Sequence, residues 1–404
     1  MKVVLHDFAG HPFQAELSRR LAARGHDVTH LTAAEWVSGK GNLQTLPGDP
    51  ATLRFGQLSV GRPIAKYSAG QRMRWELDYG AVSAQQLDDG PDVVIICNVP
   101  LLSMGRFVWH ALRRRVPWVL WHQDIWSAAM GDEARRRWPR PVAAVVARGF
   151  DWLEAWSARH AAQVVAIGDE FTKVYPRWRV DPEKVSVIPN WAPLNEIVPA
   201  ERENPQADIV FGPDRRPESL RLLYAGSLGR KHNPLLLVEL LRAVRAAGVD
   251  AVLTVVSEGE AADDVRAAAA ADPQLPLRVV DFQPADRLAE TMGTADVLLG
   301  LLEPEATNFS IPSKVLTYMS SGRPIVGLMP DSNPAAIDIT DCGGFVADPT
   351  SQGAAAAAEW IAKISDDPEA RARIGRTTRA VAEQRFDPEH ITDRFEAVLR
   401  RTQG

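Results

Sequence analysis

The sequence predicts an α/β protein built from two doubly wound halves. Three observations carry this expectation. Short β-type runs alternate with helical stretches through most of the chain. The alternation breaks once, in a stretch rich in Pro, Asn, Asp and Glu at 189–219. It then restarts and continues to the last helix. A length of 404 residues is enough for two separate cores.

In the first half, strands are expected at 2–5, 27–31, 93–96, 118–121, 164–167 and 185–188. Between the first two lies FQAELSRRLAARG. Phe13, Leu17 and Leu21 recur at helical spacing, Pro12 stands near the start and Gly25 at the stop. Strand–helix–strand order of this kind implies a parallel sheet covered on both faces. The expected first domain is 1–195, followed by a linker over 196–219. Strands resume at 221–226, 251–256, 277–280, 297–300 and 324–327, in a second domain over 220–384. The alanine runs at 267–271 and 354–358 read as helix. The final segment, 385–404, reads as a helix capped by Asp387 and crossing back onto the first domain. Ligands of such sheets sit beyond the carboxyl ends of the strands, so a cleft between the two halves is the expected binding place.

Composition excludes several classes. A net charge of −5 with 24% charged residues does not suit a nucleic-acid binder. Two cysteines, Cys97 and Cys342, cannot build a disulfide framework or a cysteine-based zinc site. The opening MKVVLHDF has too short an apolar run for a signal-peptide core and reads as a first strand. No apolar run reaches the ~18 residues of a membrane-spanning helix. The expected location is the cytoplasm. One stretch, EARRRWPRPVAAVVARGFDWLEAW (133–156), places Arg135, Arg136, Arg137, Trp138 and Arg140 ahead of an apolar helix. It reads either as a solvated basic edge or as a contact with an anionic surface at the inner face of a membrane.

Two loops of the second half suggest anion chemistry. In YAGSLGRKHNP (224–234) a strand ends, Gly226, Ser227 and Gly229 form a tight loop, and Arg230 and Lys231 follow. Small residues let a phosphate approach the backbone, and adjacent cations can neutralise a diphosphate. The loop is neither a Walker A nor a Rossmann glycine motif. In NFSIPSKVLTYMSSGRPIVG (308–327) a helix opens on Ser313-Lys314, where a lysine opposes the helix dipole. Either an anion sits at that N-terminus or Lys314 points into water. In one sheet both loops face the same crevice, which favours a diphosphate site.

In the first half, Gly10 follows the first strand and either admits a ligand or makes a simple turn. His122 and Asp124 lie at the carboxyl end of the strand VPWVLW. Asp124 either meets a ligand or caps the next turn. His122 either bonds a ligand or is a satisfied half-buried histidine.

Several stretches resemble the retaining glycosyltransferases of family four, of GT-B fold, and among them enzymes of colanic-acid, exopolysaccharide and O-antigen synthesis. They are HDFAGHPFQ (6–14), GHDVTHLTA (25–33), WHQDIW (121–126), VSVIPNWA (185–192), YAGSLGRKHNP (224–234), ADVLLGLLEPEATNFSIPSKVLTYMSSGRPIVG (295–327) and FDPEHITDRFEAVL (386–399). The resemblance implies two Rossmann-like domains and a nucleotide-diphosphate sugar held mainly by the second. Arg230 and Lys231 would neutralise the diphosphate, aided by the backbone of Ser313 and Lys314. Asn308, Phe309 and Ser310 would lie near the transferred sugar, and Gln283 near the base. His122 would bond the donor sugar, Asp124 would orient the acceptor hydroxyl or take its proton, and Gly10 would admit the donor phosphate or the acceptor. The acceptor would be a glycan or a polyprenyl-diphosphate-linked sugar. No cofactor or metal would be needed, because cationic side chains replace Mg²⁺ and no Asp-x-Asp motif stands at a strand end; Asp263 and Asp264 fall in a helix. One departure is plain. Phe309 and Thr317 stand where many members carry glutamates, and the second of those holds the ribose. Two other activities fit the same architecture: a nucleotide-sugar epimerase or hydrolase, and a non-catalytic partner subunit.

Overall fold

The computed structural model describes residues 1–36, 41–64, 68–228, 233–303 and 314–403. The chain divides into two units, one formed by 1–190 with 389–404 and the other by 191–388.

The first unit holds a seven-stranded sheet. Its strands are β1 (Lys2–Asp7), β2 (Asp27–Ala33), β3 (Leu53–Leu58), β4 (Val93–Cys97), β5 (Trp118–His122), β6 (Gln163–Ala166) and β7 (Val185–Val187). They lie in the order β3-β2-β1-β4-β5-β6-β7, and every pairing is parallel. The central strands β4 and β5 are buried along their whole length, as a sheet covered on both faces requires. The chain winds outward from β1 to one edge, then returns to β4 and winds to the other. The switch point is therefore the gap between β1 and β4.

The second unit repeats the plan with six strands: β8 (Leu220–Ala225), β9 (Ala251–Val256), β10 (Leu277–Val280), β11 (Val297–Leu301), β12 (Ile325–Leu328) and β13 (Phe345–Ala347). Their order is β10-β9-β8-β11-β12-β13, again all parallel. Here the switch point lies between β8 and β11. Leu222, Leu253, Val255 and Leu299 from these strands join Leu237, Leu240 and Leu241 of helix Leu236–Ala246 in one core.

Two strands lie outside the sequence expectation. β3 is a sheet edge with Arg54, Gly56 and Gln57 in it, so it lacks an apolar run. β13 is an edge strand of three residues, all half-buried. Edge strands need only one neighbour and carry a weak apolar pattern.

The stretch expected as a linker, 196–219, is instead packed into the second unit. Val210 and Phe211 enter its core with Leu223 and Val256. Arg202 donates from Nε to both Asp296 carboxylate oxygens, at 3.0 and 3.2 Å, and from Nη2 to one of them at 3.1 Å. Asp296 also accepts from the backbone N–H of Arg221 at 2.8 Å. The prolines and acids that read as loose chain are a belt fastened by arginines. The boundary falls after Asn190 rather than at 195.

The last helix, Pro388–Arg401, lies on the first unit from Glu389 onward. Phe395 is fully buried and its ring meets that of Trp121 at 4.6 Å. Arg24 bonds Asp393 at 2.7 Å and His26 bonds Glu396 at 2.9 Å. No described helix is long and apolar enough to cross a membrane.

Candidate functional site

Each unit brings polar side chains to its own switch point. In the second unit these belong to the turn after β8 and to helix Lys314–Ser321, which follows β11. Lys314 does not point into water. Its Nζ turns inward, contacts the hydroxyl of Tyr224 and donates to the carbonyl of Ser227 at 3.2 Å. Tyr224 itself donates to that carbonyl at 2.9 Å. Tyr318, on the next turn of the helix, accepts from Ala225 N–H at 2.9 Å and donates to Ala225 C=O at 2.8 Å. Two tyrosines thus fasten the helix start to the β8 turn. Gly226 there has φ +140°, and a Cβ on it would lie 3.4 Å from Lys314 Cε. A side chain would be strained by the backbone angle and would crowd the lysine.

Burial disfavours the Lys314 ammonium and lowers its pKa to about 8. Among the described residues no carboxylate pairs with it. Among the described residues this buried ammonium is held by a hydroxyl, a carbonyl and a ring face, which leaves its charge unbalanced there. It can accept an anion arriving at the N-terminus of its helix. Thr317 lies one turn along, half-buried. Of the other residues expected here, Arg230, Lys231, Asn308, Phe309, Ser310 and Ser313 lie outside the described residues. Gln283 follows β10 at the sheet edge, with Nε2 folded onto the carbonyl of Asp281 at 2.8 Å.

In the first unit, a cavity of about 200 Å³ opens where β1, β4 and β5 end. Phe8, Trp36, Trp126 and Phe150 supply aromatic walls, and the Phe8 and Trp36 rings stand 5.4 Å apart. His11 and Asp124 line it as well. His11 is held from behind. The fully buried Asp7 accepts from the backbone N–H of His11 at 2.5 Å and from Asn98 Nδ2 at 3.0 Å, and lies 3.7 Å from the His11 ring. Burial works against the Asp7 carboxylate, but the bonds from His11 and Asn98 outweigh it and its pKa is lowered. Burial likewise opposes the His11 imidazolium. The bond to Asp7 and the charges of Asp7 and Asp124 outweigh that, and the His11 pKa is raised. Arg72 and Glu76, also on the wall, pair with each other at 2.7 Å.

Two residues expected at the site in this half lie packed in the fold. His122 is 3% exposed and lies inside the fold. Its Nδ1 meets the Tyr175 hydroxyl at 3.0 Å, the two rings stack, and Nε2 lies 3.5 Å from Glu154. β5 alternates its side chains, and this end of it turns His122 into the layer of helices. Gly10 lies in a packed turn. Its φ is +77°, and a Cβ would come within 2.7 Å of Leu43 Cδ1. Asp124 does line the cavity. The first N–H groups of helix Trp126–Arg137 are taken by the buried Glu154, which accepts from Trp126 at 3.0 Å and Ser127 at 2.8 Å. Sequence reading missed Asp7, His11 and Glu154. The pair in HDFAGH was visible, since a histidine four residues past a strand-end aspartate folds back onto it. Glu154 was not, because its partners lie 27 and 28 residues away.

Comparison with known proteins places both units. Residues 10–191 match a glycosyl transferase 4-like domain, and residues 219–367 match glycosyl transferases group 1. The chain is 24% identical over 182 residues to the Escherichia coli UDP-Gal:alpha-D-GlcNAc-diphosphoundecaprenol alpha-1,3-galactosyltransferase. That match covers 44% of this chain and 45% of the relative, so it spans less than half of either. The fold resembles that of sucrose-phosphate synthase from Thermosynechococcus elongatus, with TM-score 0.69, 16% identity and 98% of each chain covered. It also resembles Anabaena HepE solved with UDP, with TM-score 0.66, 16% identity, and 99% of this chain and 100% of that one covered.

Proposed function

The chain belongs to the GT-B glycosyltransferases of family four, and on that premise we propose that it is a retaining, metal-independent enzyme of cell-surface polysaccharide synthesis. It moves a sugar from a nucleotide-diphosphate donor, bound by the second unit, to a glycan or polyprenyl-diphosphate-linked acceptor, bound by the first. The observation that carries the donor side is Lys314, a buried ammonium with no carboxylate partner among the described residues, beside a glycine turn and at a helix start. Arg230 and Lys231 follow the same turn in sequence and would share the diphosphate charge. The Escherichia coli relative, whose name gives a UDP-sugar donor and a diphosphoundecaprenol-linked acceptor, supports this choice of substrate classes.

Retention in this reading needs no protein nucleophile. The acceptor oxygen bonds to the anomeric carbon on the face the diphosphate leaves, and the leaving phosphate takes the acceptor proton. Cationic side chains stabilise that leaving group in place of a metal. Turnover therefore persists in EDTA, and its complete loss there would remove this part of the proposal.

A peripheral position at an anionic membrane is supported by the surface of the first unit. Val142, Val145 and Trp152 are exposed on helix Arg140–His160, with Trp138 exposed just before it. Arg135, Arg136, Arg137, Arg140 and Arg148 are exposed around them. Such a surface suits a headgroup layer. Co-sedimentation with anionic vesicles tests it, and failure to pellet would sink it.

The central experiment is calorimetric titration of UDP and GDP into the wild type, Lys231→Ala and Lys314→Met. Loss of a charge-assisted contact to a diphosphate costs ~1.5–3 kcal/mol, roughly ten- to a hundredfold in affinity. If neither nucleotide binds, and ADP, CDP and dTDP also fail, the donor site is absent and the chain is a non-catalytic relative.

A further inference from the structure

The cavity of the first unit has a composition that selects among ligand classes. Four aromatic residues, Phe8, Trp36, Trp126 and Phe150, line it. Its cations are already committed. Arg72 is bound to Glu76, and His11 to Asp7. Among the described residues lining it, an anion would find no uncommitted cation and would lie near Asp124 and Glu76. A long hydrocarbon would strand Asp124, His11 and the Arg72–Glu76 pair against apolar atoms, at a cost in desolvation. A neutral polyol ring meets neither obstacle. Its C–H face can lie on an aromatic ring while its hydroxyls reach the polar edge.

The polar edge also has a definite sense. Nδ1 of His11 is engaged by Asn98 Nδ2, at 3.2 Å, and faces Asp7. Nε2 is then the ring nitrogen left for a ligand, and it carries a proton whether the ring is charged or is the tautomer that accepts from Asn98. The Asp124 carboxylate on the same cavity accepts. A hydroxyl group needs both, a donor for its lone pair and an acceptor for its proton.

We propose that this cavity binds one neutral pyranose ring of the acceptor, stacked on its aromatic walls, with one hydroxyl held between His11 and Asp124 and with Asp7 as the residue that positions His11. The assignment as acceptor rests on the glycosyltransferase reading, but the binding site itself does not. It assigns the sugar of the acceptor to this cavity and excludes the acceptor's diphosphate from it.

The test is saturation-transfer NMR with methyl α-D-glucopyranoside, methyl α-D-galactopyranoside and methyl N-acetyl-α-D-glucosaminide, with inorganic pyrophosphate as competitor. At least one pyranoside receives saturation on its ring C–H protons. Trp126→Leu, Phe150→Leu and His11→Gln each reduce its affinity roughly fivefold or more. Circular dichroism shows each variant folded, and UDP titration at the second unit is unchanged. Asp7→Asn lowers the His11 pKa, followed by its imidazole proton shifts, a change that general loosening of the fold would not produce. Three outcomes overturn the proposal: no pyranoside binds, binding survives Trp126→Leu and His11→Gln unchanged, or pyrophosphate displaces the sugar. A chain that binds a pyranoside here but no nucleoside diphosphate would retain this site and lose the transferase reading instead.

Discussion

The Nζ of Lys314 lies 4.3 Å from the centroid of the Tyr224 ring and in contact with its hydroxyl. Tyr224 spends its own proton on Ser227 C=O, so its oxygen is left to accept from the lysine. The phenol aims the ammonium without neutralising it, which a carboxylate in the same place would do. Tyr224→Phe keeps the ring and removes the acceptor. We expect nucleoside diphosphate affinity to fall by about 1 kcal/mol, roughly fivefold. Calorimetry on the folded variant checks this, and an unchanged affinity would show that the hydroxyl does not orient Lys314.

The same lysine sets a pH dependence. Burial lowers its pKa from 10.5 to about 8. Between those values the unfolded chain carries the proton and the folded chain does not. Stability contributed by this group therefore rises with pH across that window, and the full cost of charging it is felt below pH about 8. Anion binding runs the other way, because it needs the ammonium. Raising the pH from about 7 to about 9 should weaken diphosphate binding in the wild type. Lys314→Met should bind weakly and lose this dependence. A flat profile in the wild type would mean that the bound anion is held elsewhere.

The strands with continuous apolar runs were legible because a parallel sheet buries both faces. Val93–Cys97 and Ala251–Val256 needed no partner to be read. Lys314 was legible as an anomaly, a cation at a helix start, but its inward turn depends on Tyr224, 90 residues away. His122 shows the complementary case. Its position at a strand end is local information, while its burial against Tyr175 and Glu154 comes from helices that the strand itself does not specify. The polar stretch after residue 190 misled because composition reports a segment's own preference for water and not the arginines that tie it down.

Glu154 is predicted to be a structural residue of the first unit. Its carboxylate is fully buried and takes two backbone N–H groups at the start of helix Trp126–Arg137. Glu154→Ala leaves both donors unsatisfied beside His122. A loss of about 2–4 kcal/mol in stability should follow. His122→Ala should act likewise, through lost packing against Tyr175 and Trp178. Thermal melting reads both effects. Neither variant should alter nucleotide affinity at the second unit. If His122→Ala melted like the wild type but abolished transfer, the histidine would be a ligand contact after all.

Asp296 is the anchor of the belt that precedes the second sheet. It is 6% exposed and receives Arg202 through two guanidinium nitrogens and Arg221 through its backbone N–H. Arg202 also donates to the carbonyls of Pro217 and Ser219, at 2.9 and 2.8 Å. Asp296→Ala leaves the half-buried Arg202 guanidinium with the exposed Glu203 as its ionic partner, and its hydrogen bonds to the peptide carbonyls lose their fixed geometry. Breaking one side of a buried ion pair costs about 3–5 kcal/mol, and partial exposure of Arg202 puts the expectation at the lower end. The distinguishing measurement is limited proteolysis. If 196–219 is a fastened belt, the wild type resists cleavage there and Asp296→Ala becomes susceptible before the unit melts. Equal cleavage of both proteins within that stretch would restore the linker reading.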